Sequence, residues 1–432
     1  MKALRLIKWA LEKDEKTRYS NYDILLLRKD SHCNFFIDNK AYCCLLDSLA
    51  ESICSKSSQK LSFLTISSRD SNLAGSSSHS EAVRFRSTLS KALLLRWLIY
   101  PLSKLESKLG KFLGIHKGDF DYFEYLAWCK ILKKIKPRVI IGFQPNSSIC
   151  RAAHKNNIWI ADYQHGVINE LHPWYSFKNN HRICRLSLPS AYLCWDETGA
   201  RAIGSWATAK KIPSIILGHS WFLKSLEFSC ATKNLVERNK FGTYKYSLLL
   251  TLQWRTPAAY KFDYMKNWDT ILLLPNDLIG YIKNTPHINW LIRLHPVQLS
   301  DPDQKTCSRL REIFSNLTHV EWENSSKESL PLLLTQIDAH VTCNSSVAIE
   351  AAWLGVRTLF LDPLLKEGEK NHGYFRNELE SQMAKIVTFN ASNFDQEVQW
   401  CIQNKRINKL NELRFKFDNE VKSLLKTKLE EQ

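Results

Sequence analysis

DAHVTCNSSVAIEAAWLGVRTLFLDP, residues 338–363, reads as a strand, a tight turn, a helix and a second strand in immediate succession. Asp338–Thr342 is a short run of β-formers. Asn344, Ser345 and Ser346 are helix N-cap residue types. Val347–Leu354 carries good helix formers, and Gly355 suits the left-handed residue that closes a helix. Arg357–Leu361 is the second strand, ended by Asp362-Pro363. A strand, helix and strand this close imply a right-handed parallel crossover. In such sheets ligands bind beyond the strand C-termini, where helix N-termini point. Ser345 and Ser346 stand there with two hydroxyls and free backbone N–H groups, which suit a phosphate. Glu350, four residues after Ser346, lies one turn further along and is a candidate acceptor for ribose hydroxyls. A plain βαβ unit with a serine cap fits this stretch equally well.

A second signal lies upstream. INWLIRL, residues 288–294, is an apolar strand stopped by His295-Pro296, since proline has no N–H for the ladder. His295 is thereby left at the C-terminal edge, and Arg293 alternates with it. Polar residues recur at strand ends in this half: Gln253, His295, Asn344, Ser345, Ser346 and Asp362.

Together, RLHP (293–296) and NSSVAIEAAWLGVRTLFLDP (344–363) resemble the nucleotide-binding half of GT-B glycosyltransferases. More narrowly, they resemble the bacterial enzymes that build capsule and lipopolysaccharide chains. Sialyltransferases and Kdo transferases of that group hold a CMP-sugar with an HP motif and a Ser-Ser/Thr motif. His295-Pro296 matches the first and Ser345-Ser346 the second. The resemblance covers residues 240–390 closely and the first half loosely.

It implies an α/β protein with two Rossmann-like domains facing a cleft. Residues 1–222 would form the acceptor domain, with a basic amphipathic insertion at 84–117. Residues 244–392 would form the nucleotide-sugar domain, with Arg293, His295, Pro296, Asn344, Ser345, Ser346 and Glu350 on the nucleotide. Residues 393–432 would be a helical tail. The implied activity is metal-independent transfer of a sugar, with a CMP-sugar as candidate donor, to a surface-polysaccharide or lipid-linked glycan. No cofactor is implied.

The first half alternates strands and helices, as an α/β fold does. Tyr22–Leu27, Asn34–Asp38, Leu61–Ile66, Arg138–Phe143, Ile158–Ala161, Ala191–Trp195 and Ser214–Leu217 read as strands. Ala41–Ser52, Asp121–Lys136 and Ser147–Lys155 read as helices, and residues 220–243 as a connector. The polar stretch DYQHGVINELHPWYS, residues 162–176, follows a strand directly, and its QHG turn again resembles the surface-polysaccharide transferases. An inverting transferase needs a general base within reach of the acceptor hydroxyl. Candidates are His165 first and Asp162 second, then Glu170 and Asp196, with Gln164 and Gly166 on the acceptor side. His165 also reads as a loop brace and Asp162 as a turn cap. The sialyltransferases carry an acidic pair before a glycine where this chain has Asp162-Tyr163-Gln164-His165-Gly166, so the donor sugar stays open. Kdo-type and glycerophosphate-type polymerases fit as well.

At 432 residues and 44% apolar content the chain suits two domains with buried cores. Its 12 cysteines are scattered without a CxxC pair, which points to a reducing compartment and away from a zinc site. Lys8 and Glu12 interrupt what would be a signal core, and no apolar run approaches the ~20 residues of a membrane span. The formal charge of +17 calls for an anionic partner. Between residues 84 and 117, Glu106 is the sole acid among many Lys and Arg, with Trp97 and leucines between them and Pro101 expected to break or kink the helix. That pattern describes a helix lying on an anionic membrane surface and places the protein at the cytoplasmic inner face of the membrane. The basic residues form no nucleic-acid recognition motif. Alternatives are a nucleotide-sugar epimerase of the same fold, a basic nucleic-acid-binding protein, and a non-catalytic GT-B subunit.

Overall fold

The computed structural model describes residues 2–29, 33, 35–37, 39–67, 80–103, 121–172, 174–231, 244–254, 266–299, 301, 303–403 and 410–430. They divide into two compact units, Met1–Trp221 with Phe415–Gln432, and Phe222–Arg414.

The first unit holds a seven-stranded sheet. Its strands are β1 (Ile24–Leu27), β2 (Phe63–Ile66), β3 (Glu81–Val83), β4 (Val139–Gly142), β5 (Trp159–Tyr163), β6 (Ala191–Cys194) and β7 (Ser214–Ile216). They lie in the order β3-β2-β1-β4-β5-β6-β7 and every pair is parallel. Parallel strands covered on both faces read as unbroken apolar runs, and the ILLL of β1 and VIIG of β4 are such runs. Polar caps start the flanking helices: Asp121 accepts from the N–H groups of Phe123 and Glu124, and Asn146 accepts from that of Ile149.

The second unit holds six strands: β8 (Tyr246–Thr251), β9 (Ile288–Arg293), β10 (Val320–Glu321), β11 (Ala339–Thr342), β12 (Thr358–Phe360) and β13 (Ala384–Ile386). Their order is β10-β9-β8-β11-β12-β13, again all parallel. Trp290, Phe314, Leu250, Val341 and Phe394 lie in its core. Phe394 belongs to the helix Ala391–Ile402, which packs on this unit.

In each sheet the strand order reverses beside the first strand. The crevice at such a reversal is where open α/β sheets bind ligands. It falls between β1 and β4 in the first unit, and between β8 and β11 in the second.

Several expectations shift. The connector at 220–243 opens with a helix, Ser220–Ala231, because Phe222, Leu223 and Leu226 are apolar at helical spacing and buried. Phe35–Ile37 pairs with Lys40–Tyr42 as a hairpin outside the main sheet. Consequently the helix expected from Ala41 begins at Cys44. The helix Arg86–Ser103 continues past Pro101, which falls in its last turn and removes a single ladder bond. The rest of the basic insertion, residues 104–117, lies outside the described residues.

The helix Leu410–Leu425 buries Phe417, Val421, Leu424 and Leu425. Leu424, Leu425 and Leu429 line an apolar gap with Ile24, Ile53, Val139 and Ile141, so this segment covers β1 and β4. Lys56 pairs with Asp418 at 2.9 Å. Phe417 sits against Gly218, whose φ of +96° favours glycine.

Candidate functional site

In the second unit Thr251 is in register with both Arg293 and Thr342. β8, β9 and β11 therefore end level. Two residues beyond that row stand Gln253, His295 and Asn344, spread over about 10 Å at ordinary strand spacing. Side chains bind these ends together. Gln298 accepts from the His295 N–H at 2.8 Å and donates to the Gln253 carbonyl at 3.2 Å. Gln253 donates to Thr342 Oγ1 at 3.3 Å.

His295 Nδ1 accepts from the Val297 N–H at 3.2 Å. Burial lowers the His295 pKa, so the ring is held neutral with its proton on Nε2, ready to donate. Pro296 is exposed and starts the short helix Pro296–Leu299. Asn344 donates to Asp362 Oδ2 at 2.6 Å, so it braces the ends of β11 and β12. Ser345 Oγ accepts from the Val347 N–H at 3.3 Å. Ser346 occupies the cap of the helix Val347–Trp353 with φ −60° and ψ −16° and makes no side-chain cap bond. A capping bond needs an extended backbone at this position, which Ser346 lacks. Of the three cap-type residues, Ser346 is the one at the helix cap, and its side chain makes no cap bond. Gly355 follows the helix with φ +71°.

Glu350 is 5% exposed. Burial pushes its carboxyl up to about 8, and the charge of Arg293 pulls it down. Arg293 also donates to the carbonyls of Ser325 and Glu328. This pair sits beneath the edge and not openly on it.

In the first unit Asp162 lies next to the C-terminal residue of β5 and is 5% exposed. Its Oδ1 accepts from the Gln144 N–H at 2.8 Å. Burial raises its pKa to about 7, while the Gln144 N–H, the Tyr175 hydroxyl beside it and the charge of Lys29 oppose the rise. His165 is half-buried, its ring 5.3 Å from that of Phe143. Phe143 follows β4, so His165 and Asp162 share the edge where β4 and β5 end.

The remaining first-unit candidates divide. Gln164 is a brace: it accepts from the Trp195 N–H at 2.7 Å and donates to the Gly166 carbonyl at 2.8 Å. A Cβ on Gly166 would meet nothing within 4 Å. Asp196 caps the helix Glu197–Ala207 through the Gly199 N–H at 2.9 Å. Glu170 is exposed. His172 accepts from the Trp174 N–H at 3.1 Å, and burial lowers its pKa to about 4.

Sequence reasoning missed Lys29, Gln144 and Tyr175 around Asp162, and Gln298 under His295. The signal available was position: Lys29 and Gln144 each stand two residues past a strand end. Among the described residues no group of three or more His, Cys, Asp or Glu is placed to hold a metal ion.

No family model matches the sequence, and no curated protein matches it. The fold does have relatives. The UDP-GlcNAc 2-epimerase of Neisseria meningitidis bound to UDP-GlcNAc superposes with a TM-score of 0.54 at 14% identity, over 94% of this chain and 100% of that one. The Methanocaldococcus jannaschii UDP-GlcNAc 2-epimerase gives 0.53 at 12%, over 94% and 99%. The S. aureus MnaA–UDP structure gives 0.51 at 12%, over 92% and 91%. At such identities the likeness is one of fold. The chain has the two-sheet α/β architecture of the GT-B class.

Proposed function

We propose that the protein is a glycosyltransferase that moves a sugar from a nucleotide-sugar to a surface-polysaccharide or lipid-linked glycan. The observation that carries this is the edge of the second unit. A neutral His295 with its proton on Nε2 and an uncapped Ser346 hydroxyl stand on either side of the β8–β11 reversal. Both are neutral donors, and donors fixed in advance stabilise charge on a departing phosphate without a metal. The helix N-terminus behind Ser346 adds its positive end. Arg293, backed by Glu350, adds a cation below.

In the first unit His165 is the base that takes the acceptor proton, with Asp162 as the alternate. Phe143 packs on one side of the His165 ring, which fixes its direction. Asp162, poised near neutrality by burial, can accept a proton at the working pH.

The acceptor side lies at the inner face of a membrane in this reading. The helix Lys2–Leu11 exposes Leu4, Ile7 and Leu11 beside Arg5 and Lys8. The helix Arg86–Ser103 packs on it and exposes Leu95, Trp97 and Leu98. Among the described residues no helix is long and apolar enough to cross a membrane. Basic amphipathic helices of this type bind anionic lipid surfaces.

The second reading is a nucleotide-sugar epimerase, favoured by the UDP-GlcNAc 2-epimerases that share the fold. One experiment separates the two. The protein is screened for thermal stabilisation by CMP, CDP, UDP and GDP, where saturation at a hundredfold Kd adds ~2.7 kcal/mol. The sugar nucleotide of the stabilising base is then incubated without acceptor and followed by NMR. Epimer formation without acceptor establishes the epimerase. No turnover until a glycan is added establishes the transferase. Stabilisation by none of the four refutes both.

A further inference from the structure

The sheet of the first unit reverses between β1 and β4, and Lys29 stands at that crevice. Its ammonium donates to Gln144 Oε1 at 3.2 Å. It forms no ion pair among the described residues. Asp162 is the carboxylate whose charge it feels. That carboxyl is buried, is pushed up to about 7, and already accepts from the Gln144 N–H. It is at most a partial counter-charge. Next to Lys29, Arg28 reaches Ser67 Oγ at 2.5 Å from the same strand end.

A half-buried cation with no ion pair and only a partial counter-charge is costly. Such groups collect at binding sites, where a ligand supplies the missing charge. Gln144 sharpens this. Its backbone is held by Asp162 in a left-handed conformation, φ +47°. Its amide oxygen therefore orients the Lys29 ammonium without neutralising it, leaving the charge for something else.

We propose that Lys29, positioned by Gln144, binds an anionic group of the acceptor, a phosphate or a carboxylate, in the crevice of the first unit. Assignment to an acceptor rests on the transferase reading. The anion site does not.

The test is site-resolved acylation of lysines in the full-length protein, read by peptide mass spectrometry. Inorganic phosphate, acetate and chloride are compared at equal ionic strength. Lys29 labelling should slow about tenfold at an anion concentration ten times its Kd, while labelling of the exposed Lys305 stays constant. Slowing by phosphate points to a phosphate-bearing ligand, and slowing by acetate points to a carboxylate. Gln144→Glu supplies the missing counter-charge and should abolish the protection, whereas Gln144→Asn should weaken it. Equal slowing at Lys29 and Lys305, no slowing by either anion, or protection intact in Gln144→Glu overturns the proposal. Nucleotide stabilisation, measured on the same samples, reports on the second unit. Its loss with Lys29 protection intact defeats the transferase reading and leaves the anion site standing.

Discussion

A Cβ placed on Gly142 would lie 2.6 Å from the Cβ of Leu27, its register partner across β1 and β4. Real Cβ atoms do not approach so closely, and the obstructing atom is fixed to backbone. Gly142 thus lets the two strands close up just before they part at Lys29 and Gln144. Gly142→Ala should destabilise the protein by about 1–3 kcal/mol, as overpacking does. Urea unfolding checks this, and an unchanged midpoint would show that the strands separate at no cost.

Ser346→Ala should weaken nucleotide binding by roughly 1–3 kcal/mol, the range for hydrogen bonds to charged groups. Because Ser346 makes no cap bond, the unliganded protein should keep its Tm. Ser345→Ala removes a bond to the Val347 N–H and should cost stability instead. Calorimetric titration with the stabilising nucleotide checks the first expectation. Undiminished affinity in Ser346→Ala would take that hydroxyl off the phosphate.

His165→Asn should cut turnover by about 10²–10⁴ while leaving nucleotide affinity unchanged. The asparagine keeps hydrogen-bonding capacity without basicity, so it separates catalysis from loop bracing. Asp162→Asn is the parallel test, and it preserves the acceptor for the Gln144 N–H. Normal turnover in His165→Asn would pass the base to Asp162 or the exposed Glu170, since Asp196 is committed to a helix cap.

The pattern in residues 338–363 specified strand, turn and helix because each element follows from local chemistry. Apolar β-formers, cap-type residues and a terminal glycine act within a few positions of one another. The edge strands Glu81–Val83 and Ala384–Ile386 went unread because each is three residues long and carries a charged residue, Glu81 or Lys385, so no apolar run marks it. The site divides in the same way. His295 and Ser346 are marked by a proline and by a serine pair. Lys29, Gln144 and Asp162 come together only through sheet order, which places β1 beside β4 although more than a hundred residues separate them. The difference between Ser345 and Ser346 is a matter of backbone angles that their identical side chains cannot reveal.

Stability should have opposing pH dependences. His340 is buried between Thr251 Oγ1 at 2.9 Å and Thr358 Oγ1 at 3.0 Å, and burial lowers its pKa to about 3. His219, its ring tilted against Trp195 with centroids 4.1 Å apart, is likewise lowered to about 3. The unfolded chain takes up these protons near pH ~6.5. Stability is therefore lost as pH falls from there toward 3, by up to about 1.4 kcal/mol per pH unit per group. Glu350 acts oppositely: it holds its proton to about pH 8 in the folded protein against an ordinary value of 4.5. Its contribution falls as pH rises between those values. Glu350→Gln should thus be more stable than the parent at pH 8, with the advantage gone at pH 4. Urea midpoints across pH check this, and a pH-independent difference would contradict the burial.

The helix Lys2–Leu11 exposes Leu4 by 74% and Leu11 by 82%, while Trp9 is buried beneath Arg5 and Arg86. If it meets anionic lipid, Arg5→Glu with Lys8→Glu should weaken vesicle binding by at least ~1 kcal/mol per site. Sedimentation with phosphatidylserine-containing vesicles measures this. Equal binding to neutral vesicles would remove the electrostatic component.

Residues 415–430 cover β1 and β4, so the first unit is sewn shut by chain that emerges after the whole of the second. At about 5–20 residues per second, the apolar floor completed by Ile141 waits roughly 14–57 s of synthesis before Leu424 and Leu425 are made. The same interleaving constrains inheritance. A single recombination event between the two units would separate the first sheet from its own cover, leaving Lys56 without Asp418 and Gly218 without Phe417. A new first unit can be acquired only together with a matching distal segment, by two exchanges and not one.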